Sequence, residues 1–114
     1  MNYDKAHELA RSIKESAEYK MFLVAQKKVS ETPDSNRMLE DFRQKQFEFQ
    51  MKQMSGQELS QEEIEQIQKL YEIIQLNDDI RKVLEAERML GQIMEDINRI
   101  IAEPLQALYG MGEK

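Results

Sequence analysis

The 114-residue chain has no cysteine and no tryptophan, one histidine, two prolines and four glycines. Without cysteine it can form no disulfide, thiolate metal site, Cys-bound iron–sulfur cluster or cysteine nucleophile. A lone His7 cannot supply the two Glu-x-x-His elements of a dinuclear bundle or the two histidines of a zincin helix, so no metal and no cofactor is expected. It follows no nucleophile elbow, and the glycines at 56, 91, 110 and 112 make no phosphate-cradling loop. Nothing in the residues supports catalysis. The longest apolar run, Met21-Phe22-Leu23-Val24-Ala25, falls far short of the roughly 20 residues that span a bilayer. The segment Met1 to Glu8 lacks the basic end and apolar stretch of a secretory signal, so the expected compartment is the cytoplasm.

Charge is plentiful but of the wrong sign for nucleic acid. Sixteen basic residues against 22 acidic give −6. Residues 1–57 hold 10 basic and 9 acidic, while residues 58–114 hold 6 and 13. An acidic field repels phosphate backbones and anionic headgroups, so no direct nucleic-acid contact and no membrane contact is expected.

Scarce Pro and Gly, and β-branched residues that do not alternate with polar ones, predict an all-α fold in a single domain over residues 1–114. The expected architecture is a small bundle of about five helices. The first covers about residues 3–15, with Ala6, Leu9, Ala10 and Ile13 on one face; the second, about 17–30, presents Tyr19, Phe22, Leu23, Gln26 and Val29. Thr32-Pro33-Asp34 reads as a start, with the Thr hydroxyl as cap, Pro33 in the first turn and Asp34 at the positive end of the dipole. The third helix then runs to about Ser55 and is closed by Gly56. Ser60 and Glu63 have capping-box spacing and open a fourth helix, about 61–76, which makes the pair a long antiparallel αα-hairpin. After Asn77-Asp78-Asp79, a long fifth helix continues to about Ile101 and is expected to kink or restart near Pro104.

At 100° per residue the third helix carries Met38, Leu39, Phe42 and Phe49 on one side and Phe47, Met51 and Met54 nearly opposite. The second stripe must meet another helix of this chain, a second subunit or a partner protein. The fifth helix has a main stripe of Val83, Leu90, Met94, Ile97, Ile101 and Leu108, widened by Ile93 and Ile100, broader than one neighbouring helix covers. It is expected to be the central element. Phe47, Met51, Met54, Ile93 and Ile100 are therefore the candidate partner or oligomer interface.

Three segments together resemble the YlbF/YmcA family of small helical bacterial proteins, in particular its YheA-like branch. They are Met38-Leu39-Glu40-Asp41-Phe42-Arg43-Gln44, Gln50-Met51-Lys52-Gln53-Met54-Ser55-Gly56-Gln57-Glu58 and Glu103-Pro104-Leu105-Gln106-Ala107-Leu108-Tyr109-Gly110. The resemblance implies a self-associating all-α bundle without enzymatic activity. It also implies kinship with branches that act as protein partners in competence, sporulation and biofilm formation, through a complex working with the membrane-anchored ribonuclease Y on mRNA processing. The cysteines that hold iron–sulfur clusters in that complex have no counterpart here.

The expected function is thus a non-catalytic cytoplasmic interaction protein or regulatory adaptor, a homo-oligomer with the dimer favoured, plus a protein partner. The alternative is an RNA-associated regulator that touches transcripts through Lys14, Lys20, Lys27, Lys28, Arg43, Lys45 and Lys52 in the less acidic first half.

Overall fold

The computed structural model describes residues 1–110, which form five α-helices and, among the described residues, no strand. They are α1 (Asp4–Glu15), α2 (Ala17–Ser30), α3 (Pro33–Met54), α4 (Gln61–Gln75) and α5 (Asp78–Leu108). Local chemistry sets the boundaries. Ser16 is extended, and its hydroxyl accepts from the Tyr19 amide at 3.2 Å, so one residue ends α1 and caps α2. At the end of α3, Gly56 sits at φ +80°, where a Cβ would be strained. The amides of Gly56 and Gln57 then reach the carbonyls of Gln53 and Lys52 at 3.2 and 2.9 Å, a Schellman closure. Ser60 and Glu63 form the expected capping box, at 3.1 and 3.0 Å. Asn77 caps α5 by accepting from the Ile80 amide at 3.1 Å. Its own amide group donates to the buried Ser35 hydroxyl at 2.8 Å, which ties the start of α3 to the start of α5.

One local expectation is corrected, and of the two alternatives at Pro104 the restart is excluded. Thr32 makes no side-chain cap; its hydroxyl turns back to donate to the Lys28 carbonyl at 3.5 Å, a competing local bond open to Ser and Thr. Pro104 does not restart the chain, because α5 continues through it to Leu108. The bond lost is the one to the Ile100 carbonyl, and both residues lie in solvent, where water can take its place.

The core forms where the end of α2, the start of α3, the end of α4 and the start of α5 converge. Val29, Ile74, Ile80 and Val83 are fully enclosed there, joined by Ala25, Leu39 and Phe42. On α2 the packed face is Phe22, Ala25 and Val29, spaced i, i+3, i+7, while Leu23, expected on that face, is exposed. Of the expected α1 face only Leu9 and Ile13 are half-buried, and among the described residues α1 packs on α2 alone. On α5, burial is confined to Ile80, Val83 and Ala86 in its first third. The stripe continues beyond them without burial, so α5 is central to the bundle only at its start.

The result is an open shape. The Cα radius of gyration is 18.5 Å, against about 13 Å for a compact chain of this length. The extents are 48 × 37 × 22 Å. Accessible surface is 9246 Å², whereas a compact 13.5 kDa monomer exposes about 6,500 Å². The excess is on the order of 2,500 Å².

Candidate interaction surface

Two arms leave the core. One is the α3–α4 hairpin, held together by the Phe42–Tyr71 ring pair, with centroids 6.4 Å apart, and near its tip by an ion pair from Lys52 to Glu63. The hydrogen bond from Lys52, aided by the Ser60 amide, lowers the Glu63 carboxyl to about 2 from 4.5. The other arm is the distal part of α5. Arg43 of α3 and Glu87 of α5 form an ion pair that bridges the two near their divergence. That pairing also explains a charge in the middle of an apolar α5 series: Glu87 faces a guanidinium.

Beyond this bridge both helices turn apolar groups the same way. At about 100° per residue, Phe47 and Met54 lie within roughly 40° of Arg43 on α3, and Met51 about 80° away. On α5, Met94, Ile101 and Leu105 lie within roughly 40° of Glu87. None of these six is covered by its own chain: Phe47 is 62% exposed, Met54 82%, and Met51, Met94, Ile101 and Leu105 are exposed as well. Each arm therefore carries an exposed apolar stripe on the side of the Arg43–Glu87 pair. The reading of Phe47, Met51 and Met54 as intramolecular core is excluded.

The five interface candidates do not form one patch. Phe47, Met51 and Met54 belong to the exposed stripe of α3. Ile93, half-buried, and Ile100, 59% exposed, point about 120–140° away from Glu87 and lie on the back of α5. The sequence places Met94, Ile101 and Leu108 on the main stripe of α5 and Leu105 only in a segment that carries the family resemblance. That they share the side of α5 that meets α3 becomes visible only once Arg43 and Glu87 are known to pair.

The cations considered for RNA contact are scattered. Arg43, Lys45 and Lys52 are each held by a carboxylate of the same chain, Lys45 by Glu48 at 3.9 Å. Lys20 and Lys28 line a groove beside α5. Among the described residues no cluster of His, Asp and Glu is arranged to hold a metal ion, and no helix is long and apolar enough to cross a membrane. His7 is exposed on α1.

A family model described as "Control of competence regulator ComK, YlbF/YmcA" matches residues 2–106. The chain is 41% identical over 115 residues to a UPF0342 protein of Caldicellulosiruptor bescii, covering 98% of this chain and 97% of that one. It is 38% identical over 112 residues to a UPF0342 protein of Bacillus pumilus, covering 98% and 95%. Among solved structures it is similar to a DUF964 protein of unknown function from Bacillus stearothermophilus, with TM-score 0.80 and 25% identity over 94% of each chain. It is also similar to yheA from Bacillus subtilis, with TM-score 0.69 and 26% identity over 96% of this chain and 100% of that one.

Proposed function

Because the chain belongs to the YlbF/YmcA family, matched over residues 2–106, we propose that it is a non-catalytic adaptor that self-associates through helix packing, as a dimer in its simplest form. It acts by contact with a protein partner, in regulation of the kind the family description names. The observation that carries this reading is the excess of about 2,500 Å² of accessible surface over a compact monomer. A standard protein interface removes about 800 Å² from each partner, and the exposed surface includes Phe47, Met54, Ile100, Ile101 and Leu105, large apolar groups that a lone monomer leaves in water. Phe47, Met51, Met54 and Ile100, which are exposed, and Ile93, which is half-buried, are the candidate groups for contact with a second copy or with a partner.

Light scattering on the full chain after size exclusion tests it. The wild type is expected above the 13.5 kDa monomer mass, and a variant with all five residues changed to Asp is expected to be monomeric while keeping its helical circular dichroism. A wild type that stays monomeric at every concentration overturns the reading.

A further inference from the structure

A second apolar surface lies on the back of α5, on the opposite side from the hairpin. It is a groove of about 450 Å³ between α2 and the start of α5, floored by Met21 and Val24 and edged by Lys20, Lys28 and Lys82. Among the described residues none of these three lysines has a carboxylate within 4.0 Å. Of the two acids beside them, Glu85 is taken by Arg88 at 2.6 Å, which leaves Asp79 alone. In a chain of net charge −6, this is a locally basic apolar site.

The same face of α5 carries its complement. Lys82, Met89, Ile93 and Ile100 are spaced by 7, 4 and 7 residues and share one side of the helix, so the groove runs on into an apolar ridge, half-buried at Met89 and Ile93 and exposed at Ile100. The ridge is flanked by acids: Asp96 precedes Ile100 by four residues and Glu103 follows it by three. A basic apolar hole near one end of α5 and an acidic apolar knob near the other are the two halves of a self-complementary, two-fold contact.

We infer that a second copy of this chain occupies the groove, with the two α5 helices antiparallel and Ile100 of each seated between α2 and α5 of the other. The inference rests on the self-association reading and specifies which face serves it. Two antiparallel helices centred near residues 91 and 92 bring residue 100 of one opposite about residue 83 of the other, the level of Lys82 and Glu85. Asp96 and Glu103 then fall on either side of the groove mouth, toward its lysines. The pairing sets Glu103, together with Asp96, which also holds Arg99 of its own helix at 2.9 Å, against three lysines that have no carboxylate partner among the described residues, and so offsets the repulsion between two chains of −6. The exposed stripe of Phe47 and Met54 on α3 takes no part in the contact.

A charge-swap experiment on the full chain tests this. One variant carries Lys20→Glu, Lys28→Glu and Lys82→Glu; the other carries Asp96→Lys and Glu103→Lys. Each alone is expected to dimerise at least about tenfold more weakly than the wild type at low ionic strength. An equimolar mixture is expected to recover a one-to-one heterodimer, because one half of the contact is then native and the other fully inverted. Circular dichroism on each variant confirms that the helices remain, and a Phe47→Asp/Met54→Asp variant is expected to dimerise like the wild type. If the wild type dimerises, the charge variants do too, and the Phe47→Asp/Met54→Asp variant does not, the assignment of the back face is overturned while self-association stands. If the wild type is monomeric throughout, both fall.

Discussion

Replacing Asn77 with Ala removes two bonds made by one side chain, and their sizes can be estimated separately. The cap on the Ile80 amide at 3.1 Å is worth about 1 kcal/mol. The bond to Ser35, at 2.8 Å, satisfies a buried hydroxyl, and leaving that group without a partner costs about 1–3 kcal/mol. The expected loss for Asn77→Ala is therefore roughly 2–4 kcal/mol. Each kcal/mol lowers the melting temperature by about 4 °C or more in a domain of this size. Asn77→Asp should be much milder, because a carboxylate still caps, suits the positive end of α5, and accepts from a Ser35 hydroxyl that has rotated to donate. In the Asn77→Ala background, Ser35→Ala should cost almost nothing further, since the partner is already gone. Urea denaturation followed by circular dichroism, at one fixed protein concentration so that association contributes equally, gives all four values. The reasoning is refuted if Asn77→Ala and Asn77→Asp destabilise equally, or if the Ser35 and Asn77 effects simply add.

Other outcomes follow from the same contacts. Glu63 is held at about 2, below its usual 4.5, chiefly by Lys52 and then by the Ser60 amide. A lowered folded-state value means its stabilisation is complete above about pH 5 and lost as pH falls toward 2. Glu63→Gln should flatten the acid limb of a melting-temperature profile across that window, and an unchanged limb would remove the claim. Ile74 is fully enclosed, so Ile74→Ala should cost about 2–5 kcal/mol in the same denaturation assay, and a loss below 1 kcal/mol would contradict the placement of the core. Among the described residues α1 buries no residue and packs on α2 alone, so its amides should exchange with deuterium well before those around Ile80 and Val83. Equal protection of α1 and early α5 would count against the contacts drawn here.

Most of the secondary structure was legible because its signals are local. The Ser60–Glu63 capping box, Gly56 at positive φ and the Asn77 cap each act within four residues, which is the range over which a sequence can be read directly. Thr32 shows the limit of that reading: a hydroxyl has several backbone partners within reach, and spacing alone does not choose between them. The exposure of Leu23 and of distal α5 was not legible, because periodicity says which side chains share a face and not whether another helix lies against it. The same holds for the candidate surface. The two-faced character of α3 could be read from Phe47, Met51 and Met54, yet the separation of that set from Ile93 and Ile100 depends on the Arg43–Glu87 and α2–α5 contacts, joined across distances no local pattern encodes.

The account turns on the surface that the open monomer leaves uncovered being closed by another molecule. Sedimentation of the full chain from submicromolar to high micromolar concentration measures this directly. The predicted result is a reversible shift from 13.5 kDa toward twice that mass, in a particle more compact for its mass than the 18.5 Å monomer. A single species of monomer mass over the entire range, with the radius of gyration unchanged, would contradict it.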